Sequence, residues 1–128
     1  MTYVDTSVLL AQLLAEDRAP PAAFWDASLI SSRLIEYEVL TRVNARKLGA
    51  THGEAARALL GRLAMVELST HVLARALDPF PVPVRTLDAL HLATMVFLRE
   101  RDPSLVVATY DDRLTLAAKK LKFVVREP

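Results

Sequence analysis

The chain has no cysteine. Disulfides and thiolate metal sites are therefore excluded, and any metal must be held by oxygen or imidazole. No apolar run approaches the length that spans a bilayer, and no basic region and cleavage site frame an apolar N-terminal stretch. A soluble, cytoplasmic protein with no membrane partner is expected. Charge of one sign is lacking too. Sixteen Lys and Arg face fifteen Asp and Glu, a formal net charge of +1, so bulk electrostatics do not mark a nucleic-acid binder, although a local patch stays open. Hydrophobic residues, in contrast, reach 52%, above the usual ~45–50%. That excess suits a partner or dimer interface, or a dense core. At 128 residues the chain has the size of one domain, read here as residues 1–128. It shows no repeat or low-complexity tract.

The opening "MTYVDTSVLL" reads as a short strand over Thr2–Val4, one carboxylate at Asp5, and a helix from Val8 to Ala15 capped by Thr6 or Ser7. Pro20-Pro21 breaks it. A strand over residues 27–31 follows, then a long helix capped by Ser31 or Ser32 and ended by Gly49. A helix over Thr51–Leu63, a strand over residues 64–68 and a brief helix over Thr70–Ala76 come next. The "DPFPVPV" stretch holds three of the seven prolines and must be extended loop. Thr86 caps a helix to Arg99, Leu105–Thr109 is an apolar strand, Arg113–Leu121 a helix, and "KFVV" a last strand. Strands that alternate with helices, and are apolar rather than alternating in pattern, indicate an α/β fold with a mainly parallel sheet covered on both faces.

Ligands of such sheets bind outside the carboxyl ends of the strands. Asp5 and Asp111 both occupy such ends, and Asp88 lies in the first turn of the helix after the proline loop, where an acid is also ordinary helix chemistry. "SSRLIEYEVLTRV" adds Glu36 and Glu38, two positions and hence roughly 200° apart on a helix, so only one faces a given site. Periodicity does not choose between them. Carboxylates gathered in a cleft repel one another unless protons or cations neutralise them. With oxygen ligands the fitting cation is Mg²⁺ or Mn²⁺, which suits phosphodiester hydrolysis. Repulsion also predicts that removing one acid, for instance by Asp5→Asn, leaves the metal-free protein at least as stable as the parent.

"MTYVDTSVLL", "EVLTRV", "TLDALHLAT" and "VVATYDDRLTLAA" occur in the order and spacing of PIN-domain ribonucleases, and nearly the whole chain resembles their VapC-type toxins. The resemblance implies a three-layer α/β/α fold and a catalytic, metal-binding set of Asp5, Glu38, Asp88 and Asp111. Glu38 matches because Val39 and Arg42 follow it; Arg42 stands four positions on where three is commoner, so Glu36 remains the alternative. Asp112 is expected only to cap the next helix. Thr6 and Ser7 occupy the place of a hydroxyl that steadies water or phosphate in the family, although capping alone explains them equally. The activity implied is hydrolysis of single-stranded or looped RNA by a metal-activated water, with Mg²⁺ or Mn²⁺ as cofactor. The partners implied are the RNA substrate, a cognate VapB-like antitoxin and a second copy of the chain.

His91 falls on an apolar helical stripe and reads as a packed core residue, and Phe24 and Trp25 as packing. Arg33, Arg42, Arg46, Lys47, Lys119, Lys120 and Lys122 are the candidates for gripping an RNA backbone. Two rival readings are a PIN-like partner-binding module without catalysis and a haloacid-dehalogenase-type phosphatase. The second wants an acid two positions after Asp5, where Ser7 stands.

Overall fold

The structure is a computed structural model that describes residues 1–128. In chain order it comprises β1 (Thr2–Val4), α1 (Thr6–Leu13), a 3₁₀ turn (Ala22–Asp26), β2 (Leu29–Ser32), α2 (Leu34–Ala45) and α3 (Gly49–Leu60). There follow β3 (Ala64–Val66), α4 (Thr70–Leu77), α5 (Thr86–Arg101), β4 (Val106–Ala108), α6 (Asp112–Lys120) and β5 (Val124–Arg126). The five strands form one sheet in the order β3-β2-β1-β4-β5, every pair parallel. Tyr3 pairs with Ile30 on one side and Val107 on the other, so β1 is central.

Successive side chains of a strand point to opposite faces, and the sheet has a core on each. Val4 and Leu29 pack with Val8, Leu9, Ile35, Val39 and Ala56, which places α1, α2 and α3 on one face. Tyr3, Ile30 and Val107 pack with Leu92, Met95, Leu98 and Leu114, which places α5 and α6 on the other; α4 lies against α5. This is the expected three-layer α/β/α arrangement. A fully buried Val or Leu such as Val8 or Leu9 contributes about 1.5–3 kcal/mol relative to exposure. No helix is long and apolar enough to cross a membrane.

The topology also fixes where a site can form. From β1 the chain steps outward through β2 to β3, then returns to the opposite side of β1 for β4 and β5. The connections diverge between β1 and β4, and the crevice at their carboxyl ends is where parallel sheets bind ligands.

The helix starts differ from expectation in an informative way. Asp5, not Thr6 or Ser7, caps α1 by accepting from the Ser7 backbone N–H. Asp111, not Asp112, caps α6, its Oδ1 accepting from the N–H groups of Arg113 and Leu114 at 2.8 and 3.0 Å. Asp112 is the first helical residue. Thr86 likewise lies inside α5, whose cap Arg85 makes no side-chain capping bond. Gly49 does not end α2: the chain turns at Lys47, with φ 57°, and Gly49 opens α3. The Ser32 hydroxyl does serve the start of α2, accepting from the Leu34 N–H at 3.1 Å.

Candidate active site

At the end of β1 the Asp5 side chain is buried, with 6% of its surface exposed. Its Oδ2 accepts from the Ser7 hydroxyl at 2.7 Å and the Thr109 hydroxyl at 2.9 Å. Both hydroxyls also accept from the strand-end backbone of β4: Ser7 Oγ from the Tyr110 N–H and Thr109 Oγ1 from the Asp111 N–H, each at 2.9 Å. Two hydroxyls, each donating once and accepting once, thus stitch the ends of β1 and β4 together and fix Asp5 relative to Asp111. Asp5 is therefore a structural acceptor as well as a negative charge, so repulsion is not the only contribution that Asp5→Asn would change.

Glu38 reaches the same place from α2. Its Oε1 accepts from the Thr6 hydroxyl at 2.8 Å and pairs with His91 Nε2 at 2.5 Å. His91, 2% exposed on α5, turns its other ring nitrogen to the Tyr3 hydroxyl at 2.5 Å. Burial disfavours an imidazolium, but the hydrogen bond and charge of Glu38, with Asp5 and Asp88 beyond, more than offset it and raise the His91 pKa above its ordinary value. Burial drives the Tyr3 phenol upward, so it keeps its proton. The phenol donates to a neutral imidazole or accepts from a charged one. Either way Nε2–H donates to Glu38. His91 is thus packed in the core, as the sequence suggested, and also buttresses an acid of the cleft, which sequence reasoning missed.

Glu36 points elsewhere. It pairs with Arg33 at 3.1 Å, and Arg33 also binds Glu67 at 2.8 Å. The 200° separation on α2 has become a separation between cleft and sheet edge.

Asp88, in the first turn of α5, has no hydrogen-bond partner on its carboxylate. Partial burial, then the charges of Asp111 and Asp5, raise its pKa above the ordinary carboxyl value; Arg113 and His91 offset this only in part. Asp5, Glu38, Asp88 and Asp111 line one cavity of about 310 Å³, together with Arg42, Arg46 and the exposed Glu16.

With that geometry in place, comparison with known proteins decides the family. Residues 2–120 match the PIN domain. The chain belongs to the PIN-domain family. Ribonuclease VapC47 of Mycobacterium tuberculosis (strain CDC 1551 / Oshkosh) is 31% identical over 137 aligned positions, covering 100% of this chain and 97% of the relative. Ribonuclease VapC35 of M. tuberculosis (strain ATCC 25618 / H37Rv) is 31% identical over 134 positions with the same coverage. Ribonuclease VapC46 of that strain is 36% identical over 99 positions, 77% of this chain and 73% of the relative. This is a VapC-type PIN domain.

The donor set of the PIN-domain cavity suits Mg²⁺ or Mn²⁺. Asp5 and Glu38 each spend one carboxylate oxygen on the hydrogen bonds above, Asp111 spends Oδ1 on its cap, and the second oxygen of each has no protein donor. No three acidic or imidazole side chains stand close enough to enclose a cation by themselves. Any ion held here would therefore need ligands from outside the chain to complete its shell.

Among the basic residues singled out from the sequence, only Arg42 and Arg46 line the PIN-domain cavity. Arg33 is held by Glu36 and Glu67, Lys119 and Lys120 occupy the last turn of α6, and Lys47 and Lys122 take positive φ where helices end. Thr109 is the other residue the sequence reading passed over; its only signal was a hydroxyl between an apolar strand and an acid. Trp25 is buried against the α1–α3 core with Phe24 edge-on at 5.1 Å, as a packing pair should be.

Proposed function

We propose that this PIN domain is a metal-dependent endoribonuclease, the toxin of a type II toxin–antitoxin pair, with Asp5, Glu38, Asp88 and Asp111 as its catalytic, metal-binding acids. The observation that carries the reading is the gathering of these four carboxylates, from β1, α2, α5 and the end of β4, around one cavity. The relatives named as VapC ribonucleases support it. The phosphatase reading has no comparable support.

Asp5, Asp88 and Asp111, with Glu38, would hold Mg²⁺ or Mn²⁺, which supplies Lewis-acid charge for phosphodiester hydrolysis. The chain's own residues do the rest by positioning. Ser7 and Thr109 orient Asp5, and Thr6 and His91 orient Glu38. Arg42 and Arg46 offer guanidinium donors to backbone phosphates entering the acidic cavity. The Ser7 hydroxyl already donates to Asp5 and accepts from Tyr110. In this reading water is the nucleophile and no covalent enzyme intermediate forms, with Ser7 acting to position Asp5.

Within this reading the partners are cytoplasmic RNA, a VapB-like antitoxin and a second copy of the chain. Supporting an apolar interface, Leu77 is 88% exposed, and with Leu73 and Phe80 it borders an apolar groove of about 690 Å³.

Paired substitutions test the site assignment. Glu38→Gln keeps size and removes charge, and should lower RNA cleavage on the order of 10²–10³-fold, the scale of a lost electrostatic group. Glu36→Gln should cleave within about twofold of the parent, because its partner Arg33 lies outside the cavity. Initial rates on one RNA under saturating Mg²⁺ measure both, and the reverse ranking would place the site on the other face of α2.

A further inference from the structure

Asp88 borders a second cavity as well, of about 530 Å³, so the two cavities meet at this acid. Its walls are Val82 and Val84 of the proline loop, Leu116 of α6, and two arginines, Arg85 and Arg113. Both arginines are exposed and neither joins an ion pair. Arg33, by contrast, is committed to carboxylates. Leu116 is 53% exposed and stands three positions beyond Arg113 on α6, hence beside it on the helix surface. Apolar side chains are usually exposed singly without consequence; here one adjoins two free guanidinium groups and the edge of the acidic cavity.

That combination matches one ligand chemistry. A nucleotide presents a flat apolar base and an anionic phosphate, and single-stranded RNA is read by splaying bases onto apolar or guanidinium surfaces while cations hold its backbone. The volume falls within the range of pockets that enclose small organic groups, about 300–1,000 Å³. An RNA strand with one phosphate among the carboxylates and leaving past Asp88 meets this surface next. We propose that the cavity between the proline loop and α6 is a subsite for one nucleotide of single-stranded RNA next to the cleaved bond. Arg85 and Arg113 take backbone phosphate, and Val82, Val84 and Leu116 take the base. The assignment of the strand's neighbouring phosphate rests on the ribonuclease reading above.

Fluorescence anisotropy of a labelled, randomised single-stranded 12-mer RNA with the full chain in EDTA tests the subsite without relying on cleavage. Arg85→Gln/Arg113→Gln should weaken binding on the order of tenfold and make the slope of log affinity against log salt shallower by about 1.4, two contacts at about 0.7 each. Leu116→Gln removes no charge and should weaken binding severalfold at an unchanged slope. All three positions are exposed, and thermal melts check that the variants fold. Unchanged affinity and slope in the double variant would overturn the proposal, as would a Leu116→Gln protein indistinguishable from the parent, or a parent that binds no RNA. If the double variant keeps RNA but loses an acidic peptide of 20 residues, the surface is a protein dock and the proposal fails. The ribonuclease reading fails separately, if a parent that binds RNA does not cleave it with Mg²⁺ or Mn²⁺.

Discussion

Asp88→Asn should abolish most metal-dependent cleavage while leaving the metal-free protein as stable as the parent or more so. The sign follows from the charge environment. Burial and the carboxylates of Asp111 and Asp5 raise the folded-state pKa of Asp88, so between its unfolded and folded values the native state binds more protons than the unfolded chain. The favourable contribution of this group is therefore complete below the unfolded pKa and lost as pH rises through the folded one. In EDTA the parent should gain stability from Asp88 as pH is lowered through that window, and Asp88→Asn should lack the gain. Added Mg²⁺ reverses the comparison. At a hundredfold excess over its dissociation constant it should stabilise the parent by about 2.7 kcal/mol, roughly 10 °C for a chain of this size, and the variant by less. Thermal melts in EDTA and in a Mg²⁺ series measure both effects. A variant melting well below the parent in EDTA would mean that Asp88 is held by favourable contacts and that the acids do not repel one another.

A second large effect is expected at His91. Its imidazole bridges the Tyr3 hydroxyl and the Glu38 carboxylate at 2.5 Å each, and almost none of it reaches solvent. His91→Leu keeps an apolar volume on α5 but removes the imidazole partner of the Tyr3 hydroxyl, leaving it Ser31 and the Ser32 backbone, at a cost of about 0.5–1.5 kcal/mol. It also leaves Glu38 with Thr6 as its only donor, and cleavage should fall roughly 10–100-fold, the range seen when a group that orients a ligand is removed. Tyr3→Phe should cost less activity, because the Nε2 bond to Glu38 survives. The two side chains are hydrogen-bonded to each other, so their stability losses should combine with a coupling of about 0.5–3 kcal/mol. Denaturant unfolding of both single variants and the double variant closes the cycle. Strict additivity would show that the Tyr3–His91 contact contributes nothing.

The parallel sheet was legible because β1, β2 and β4 carry mainly apolar residues without a polar alternation, and strand–helix alternation leaves few topologies. Asp5 and Asp111 were legible as strand-end acids for the same reason. Their second role as helix caps was not, since Asp, Ser and Thr all cap well and only backbone geometry selects among Asp5, Thr6 and Ser7. The choice between Glu36 and Glu38 depended on the ion pairs of Arg33 with Glu36 and with Glu67 just beyond β3, which no periodicity encodes. His91 shows the limit most plainly. A helical wheel places it among Leu87, Leu90 and Leu98, and only the approach of Tyr3 from β1 and Glu38 from α2 reveals that its two nitrogens are both engaged. Gly49 misled because glycine commonly follows a helix, whereas here Lys47 adopts the positive φ.

The most direct measurement is cleavage of a single-stranded RNA by the purified chain in Mg²⁺ or Mn²⁺, followed by excess EDTA and then by restored metal. Four carboxylates around one cavity predict cleavage that stops on chelation and resumes when the ion returns. Cleavage that continues undiminished in EDTA would contradict the account, because the acids would then have no cation to hold.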